Sequence, residues 1–213
     1  MNKDLKIFLN FRRLRFIKRC NNFPTVNPED VAQHSFYTVL LSMSIADEYN
    51  TWVDENFDYY DYEAPNTLDS EKVIRKALLH DVEESFTSDI PWNIKHHSKE
   101  VHKAIAEAIE NKMEKVYEDS KTAQLWKSIN LSSKDGAEGA LVDLCDMLEL
   151  ALFCFEEKQK GNMYMNGLLK KALVCLKNHK LYEIMLKASP LFNSCIGMLH
   201  TENSLADEFL NID

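Results

Sequence analysis

Glycine and proline are scarce in this chain of 213 residues, five of each. A sandwich or barrel needs many tight turns at backbone angles that these residues tolerate best, so an all-β architecture is disfavoured. Cysteine is equally sparse: Cys20, Cys145, Cys154, Cys175 and Cys195 are odd in number, widely scattered, and form no C-x-x-C pair. This argues against a disulfide framework, and reduced thiols packed on helix faces are expected. No stretch approaches the roughly 18 uncharged apolar residues of a membrane span, and the basic N-terminus is not followed by the apolar region of a signal peptide. A cytoplasmic protein without a membrane partner is expected. Positive charge is also in deficit, 25 Lys and Arg against 34 Asp and Glu, for a formal net charge of −9. A nucleic-acid binder that coats its surface with cations is therefore not expected, and any phosphate-bearing ligand must be met locally. There is no Walker A loop, nucleophile elbow or HExxH helix.

What is present is apolar material, 45% of residues, recurring at spacings of three and four almost throughout. That periodicity predicts an all-α, compact, single-domain helical bundle over 1–213. Helical spacing runs through 3–19, which carries seven of the 25 basic residues against one acid. After a loop at 21–27, Pro28 suits a first helical turn, and a helix is predicted from about Glu29 to Tyr49. Residues 50–69, acidic and aromatic, read as an insertion. Ser70 is an N-cap candidate for a helix reaching about Glu84, which the SFTSDIP segment at 85–91 breaks. Further helices are predicted at 98–119, 121–129, 134–160 (closed by Gly161 and Asn162), 163–178, 180–188 and 190–209.

Four potential metal ligands sit inside otherwise apolar stretches: His34 in VAQHSFYTVLL, His80 and Asp81 in IRKALLHDVEE, and Asp146 in LVDLCDMLELAL. Burying an ionised Asp unpaired costs several kcal/mol, so such an Asp needs a cation or a full set of hydrogen bonds. Two imidazoles with two carboxylates form a mixed N/O set suited to Mn, Fe, Co, Ni or Zn rather than Ca. Each residue also has an ordinary reading: His34 as a hydrogen-bonded helix residue, His80–Asp81 as a solvated helix end, and Asp146 as the partner of a Lys. Asp143, one turn before Asp146, competes with it, and the distance from the helix end at Gly161 favours Asp146.

The order His34, His80–Asp81, Asp146 on successive helices resembles the HD-domain superfamily of metal-dependent phosphohydrolases. More narrowly, VAQHS at 31–35 followed by HDVEESFTSDIPWNIK at 80–95 resembles the bacterial 5′-deoxynucleotidase branch, which removes phosphate from deoxyribonucleoside 5′-monophosphates. The resemblance spans about residues 10–165. It implies a compact helical fold, frequently a homodimer, in which the four named side chains hold one divalent ion. It also implies catalytic or substrate-binding roles for Glu84, which matches the acid three residues after HD, and for Asp89, which matches the acid of the T-x-D-[IL]-P segment.

The residues themselves support both acids: in a continuous helix Glu84 lies four positions beyond His80 on one face, and Asp89 follows the break where a loop can turn back over the site. Their ordinary readings are an exposed helix acid and a helix N-cap. Arg19 precedes His34 by the interval of the family's phosphate-orienting arginine, and its planar fork of donors suits that task. Where the family usually has an aromatic residue next, this chain has Cys20. Trp92 offers a surface for base stacking or simple core packing. His96, His97 and His102 lack ligand spacing, and the stripe Arg12, Arg13, Arg15, Lys18 is read as pairing with the acidic 50–69 segment or as solvated.

The expected activity is hydrolysis of a nucleoside 5′-monophosphate. The alternatives are an HD hydrolase acting on a triphosphate, cyclic nucleotide or alarmone, and a non-catalytic helical binding module.

Overall fold

The computed structural model describes residues 2–57, 65–91, 94, 98–118, 120, 121, 124 and 136–210. Among the described residues there is no strand, only an isolated antiparallel bridge between Lys18 and Asp30. The helices are α1 (Lys3–Phe11), α2 (Val31–Asn56), α3 (Ser70–Leu79), α4 (Glu84–Thr87), α5 (Lys99–Tyr117), α6 (Gly136–Gln159), α7 (Asn166–Lys177), α8 (Tyr182–Ala188) and α9 (Pro190–Leu210), with 3₁₀ turns at Arg12–Phe16 and Met163–Met165. All five cysteines are thiols, as expected. The helix expected at 121–129 and the aromatic centre of the 50–69 segment fall largely outside the described residues. Two compact units divide the chain: Met1–Tyr37 with Arg75–Ser133, and Thr38–Ile74 with Lys134–Asp213.

In the first unit, Leu14, Val31 and Val82 form a buried cluster against which Phe11, Ile17, Leu79 and Met113 pack. The helix expected over 3–19 ends at Phe11 because residues 17–19 are recruited elsewhere. The Val31 N–H donates to the Ile17 carbonyl at 2.9 Å and the Arg19 N–H to the Glu29 carbonyl at 2.9 Å. These non-local bonds satisfy backbone groups that a continuing helix would have used. The start of α2 also differs from expectation. Pro28 lies outside it, and Asp30 forms a capping box, its Oδ1 accepting the Gln33 N–H at 2.8 Å while Gln33 Oε1 accepts the Asp30 N–H at 3.1 Å. Ser98 caps α5 as its sequence position implies, accepting the Val101 N–H at 3.2 Å.

The second unit is built on α6, whose Leu141, Leu144, Leu148, Ala151 and Cys154 are fully buried, with α7 and α9 packed along it. Gly161, at φ +88°, ends that helix as predicted, and the Asn162 N–H returns to the Glu157 carbonyl at 3.0 Å. α2 runs to Asn56 rather than Tyr49, so the first residues of the expected insertion are helical. Asn50 then pins the returning chain, exchanging hydrogen bonds of 2.9 and 2.7 Å with the Leu68 carbonyl and N–H.

The start of α9 is held by a relay. Ser189 is its N-cap, with Oγ accepting the Phe192 N–H at 3.0 Å and donating to Glu48 Oε2, which also accepts the Leu191 N–H at 3.1 Å. One orphan amide of the helix start thus ends on a carboxylate of α2 and a second on the serine hydroxyl that donates to that carboxylate. Ser189→Ala is expected to lower unfolding free energy by about 1 kcal/mol and Glu48→Ala by about 1–3 kcal/mol. Urea titration should show shifted midpoints at constant m, and the double variant should lose less than the sum of the two.

Candidate active site

The first unit brings three of the predicted ligands together. The capping box fixes the first turn of α2, and the His34 N–H donates to the Asp30 carbonyl at 3.0 Å, which places the His34 ring in the interior with no solvent exposure. α3 stops at Leu79, earlier than expected, and His80 and Asp81 occupy the turn that follows. At this helix end the Ala77 carbonyl accepts a hydrogen bond from His80 Nδ1 at 2.7 Å. A carbonyl can only accept, so Nδ1 carries the proton and Nε2 presents its lone pair.

His80 Nε2 lies 3.1 Å from His34 Nε2, and Asp81 Oδ2 lies 3.2 Å from His80 Nε2 and 3.6 Å from His34 Nε2. Two ligands bonded at about 2.1 Å to one ion, at angles between octahedral and tetrahedral, are themselves roughly 3.0–3.4 Å apart. Two of the three separations fall in that range and the third, 3.6 Å, lies just beyond it, the donor types suit a borderline divalent cation, and all three residues are buried. The carbonyl behind His80 is the outer partner that fixes the tautomer of a metal-binding imidazole.

Arg19, expected on a basic helix, instead sits in the turn that follows the Lys18–Asp30 bridge, and its Nη1 donates to Asp81 Oδ2 at 3.2 Å. Cys20 follows in a left-handed conformation, φ +50°. Its N–H donates to Asp89 Oδ2 at 2.9 Å, which ties the Asp89 loop to the turn that carries Arg19. The spacing argument for Glu84 fails: the helix is interrupted between Leu79 and Glu84, and Glu84 opens α4 instead of lying one turn along the helix from His80. It is nonetheless buried, at 5% exposure, rather than an exposed acid, and its N–H donates to the Asp81 carbonyl at 3.0 Å.

Asp146 is half-buried midway along α6, in the second unit. Its competitor Asp143 faces His179, with Oδ2 3.6 Å from Nε2, and so has a structural partner within that unit. His102 is exposed on α5. Trp92, His96 and His97 lie outside the described residues. The capping box and the Asp89–Cys20 contact were missed from sequence. D-x-x-Q at 30–33 could have revealed the first, and no local signal announces the second.

A family model described as 5′-deoxynucleotidase YfbR-like matches residues 6–191. The chain belongs to that family. YfbR-like relatives include a 5′-deoxynucleotidase of Vibrio parahaemolyticus, 26% identical over 85% of this chain and 90% of the relative. Another is 5′-deoxynucleotidase YfbR of Salmonella arizonae, 22% identical over 95% of this chain and the whole of the relative. Among solved structures, an HD-domain phosphohydrolase of Listeria innocua shares the fold with a TM-score of 0.65 and 22% identity over 95% of this chain and 99% of its own. An HD phosphohydrolase (DatZ) of cyanophage S-2L, described with dA and one catalytic Zn²⁺ bound, aligns with a TM-score of 0.57 and 16% identity over 89% and 96% of the two chains.

This YfbR-like chain is thus an all-α metal-dependent nucleotide phosphohydrolase and phosphomonoesterase. Among the described residues no helix is long and apolar enough to cross a membrane. Purified protein supplied with Zn²⁺, Mn²⁺ or Co²⁺ is expected to retain metal stoichiometrically after dialysis and to melt at higher temperature with it. Elemental analysis of His34→Ala and His80→Ala should show content far below stoichiometric, with the thermal gain abolished.

Proposed function

We propose that this chain hydrolyses deoxyribo- or ribonucleoside 5′-monophosphates to nucleoside and inorganic phosphate, using one divalent transition ion held by His34, His80, Asp81 and Asp146. The observation that carries the reading is the convergence of two imidazoles and a carboxylate with an arginine already on that carboxylate. The names of the relatives in Vibrio and Salmonella point to the same substrate class. Asp146 completes the set because it is the half-buried acid of α6 whose neighbour Asp143 is engaged by His179. Mn, Fe, Co, Ni and Zn all suit this donor set, and the cyanophage relative is described with zinc. When bound, such an ion would supply Lewis acidity and lower the pKa of water toward neutrality.

The remaining work falls to the chain's own residues. Arg19 presents its fork of donors to two phosphate oxygens, and its bond to Asp81 aims it from the ligand set toward the substrate. Glu84, buried beside Asp81 in sequence, orients the attacking water and relays its proton. Water adds to phosphorus in line, the bond to O5′ breaks, and that oxygen takes up a proton as the nucleoside leaves. Trp92 is assigned to the base as a stacking surface. One domain formed by both units is part of the reading, since the family model spans both. So are a cytoplasmic location and a homodimer, whose interface would use the exposed apolar residues Leu5, Phe8, Leu9 and Leu78 of the first unit.

A substrate panel tests the reading. Metal-loaded protein should release phosphate from dAMP, dGMP, dCMP or dTMP, and His34→Ala or Asp146→Asn should lower turnover by about a thousandfold or more, a barrier increase of about 4 kcal/mol. Intact monophosphates beside cleavage of a triphosphate, cyclic nucleotide or alarmone would transfer the site to another substrate. Arg19→Ala should raise KM by one to two orders of magnitude, because its phosphate contact exists before and during bond cleavage.

A further inference from the structure

The turn that carries Arg19 is restrained on both sides. Before it, the short bridge pairs residues 17–19 with 29–31, and the Arg19 N–H itself ends on the Glu29 carbonyl at 2.9 Å. Immediately after it, the Cys20 N–H ends on Asp89 Oδ2 at 2.9 Å, a bond between residues 69 apart in sequence. The two loops are stitched once more by Asn21 Nδ2 donating to the Asp89 carbonyl at 3.2 Å. Both backbones bend unusually where they meet. Among the described residues, Cys20 at φ +50° and Ser88 at φ +61° are the non-glycine residues in the left-handed half of the map. Conformations of this kind cost on the order of 1–3 kcal/mol each and persist where surrounding contacts over-determine them.

We propose that Asp89 is a positioning residue: through the backbone N–H of Cys20 it holds the turn that delivers the Arg19 guanidinium to Asp81. The role differs from that of a carboxylate orienting or deprotonating water, because here the side chain works as a hydrogen-bond acceptor toward the protein's own backbone. With the bridge fixing one side of Arg19 and Asp89 the other, the only long freedom left to the guanidinium is its side chain, and Asp81 takes that up at 3.2 Å. Release of the Cys20 N–H frees a turn whose φ is unfavourable for a residue with a Cβ, and the turn relaxes away from the geometry that aims Arg19. Displacement of a positioning group by about 1 Å can cost about a hundredfold in rate. The inference rests on the assignment of Arg19 to the substrate phosphate.

The role makes a different prediction for each substitution at this position. Asp89→Ala removes the acceptor, whereas Asp89→Asn keeps an oxygen for the Cys20 N–H and removes only the charge. In metal-loaded full-length protein, Asp89→Ala is expected to raise KM for the preferred monophosphate by about 10–100-fold with kcat changed far less. Asp89→Asn should stay within about threefold of wild type, the charge-assisted bond having become a neutral one of roughly half the strength. In an Arg19→Ala background, Asp89→Ala should cost less than a further factor of about three, because the two residues act through one contact.

Equal damage in Asp89→Ala and Asp89→Asn, falling on kcat, would overturn the proposal by showing that the charge takes part in the chemistry. So would multiplicative losses with Arg19→Ala. A second readout needs no turnover: amide exchange at Cys20, followed by NMR, should be slow in wild type and Asp89→Asn and fast in Asp89→Ala, while amides in α6 remain unchanged. Unchanged Cys20 exchange in Asp89→Ala rules out the tether whatever the activity. If wild type cleaves no monophosphate, the functional reading fails by itself. The tether is then decided by Cys20 exchange and by calorimetric titration with inorganic phosphate, which Asp89→Ala should weaken and Asp89→Asn should not.

Discussion

A single carboxylate oxygen, Asp81 Oδ2, organises the first unit: Arg19 Nη1 and His80 Nε2 lie 3.2 Å away and His34 Nε2 3.6 Å away. An ionised carboxylate removed from water must be compensated by charge or by donors, and a compensated one imposes its own geometry on whatever compensates it. The shapes of the neighbouring elements follow from that demand. α3 stops at Leu79, so that His80 and Asp81 leave the helix while the Ala77 carbonyl accepts the proton on Nδ1. α2 begins at a capping box that turns His34 inward from its first turn. The chain before it leaves the α-helix at Phe11, and Arg19 arrives in the turn that follows the Lys18–Asp30 bridge.

Function here is concentrated in irregular backbone supported by regular backbone. The HD turn, the Arg19–Cys20 turn and the segment around Ser88 carry the polar chemistry, and each is anchored within a few residues to a helix end or to the Lys18–Asp30 bridge. Rigid scaffolds that hold reactive loops are a general solution, because helix interiors commit their backbone groups to one another and leave none for a ligand or a neighbouring turn. The positive φ at Cys20 and Ser88 marks where this arrangement departs from what the local residues would choose alone.

The second unit contributes a different kind of order. Its core is a set of long helices whose apolar faces are continuous, and its buried polar groups include short relays such as Glu48 with Ser189 and Glu157 with Asn162. Each relay satisfies the end of a helix, which is where unpaired backbone groups would otherwise be buried. Within that framework, Asp143 lies against His179, its Oδ2 3.6 Å from Nε2.

Local signals in the sequence determined the helical class, the start at Ser98 and the end at Gly161, and placed the start of α3 within one residue, its cap being Asp69, whose Oδ1 accepts the Lys72 N–H at 3.0 Å, rather than Ser70. Periodicity, caps and a glycine past a helix end act over a few residues and need nothing from the rest of the chain. The same signals misjudged the end of α1, the cap of α2 and the position of Glu84 relative to His80. They were also silent about the bond between Asp89 and Cys20. The α2 cap and the turn before Glu84 are local, whereas the bonds that hold Arg19 and Cys20 join residues far apart, 62 positions for Arg19 and Asp81 and 69 for Cys20 and Asp89. Only tertiary structure decided these, because a backbone donor or a charged side chain takes the partner that the fold brings to it, and no periodic pattern records that choice.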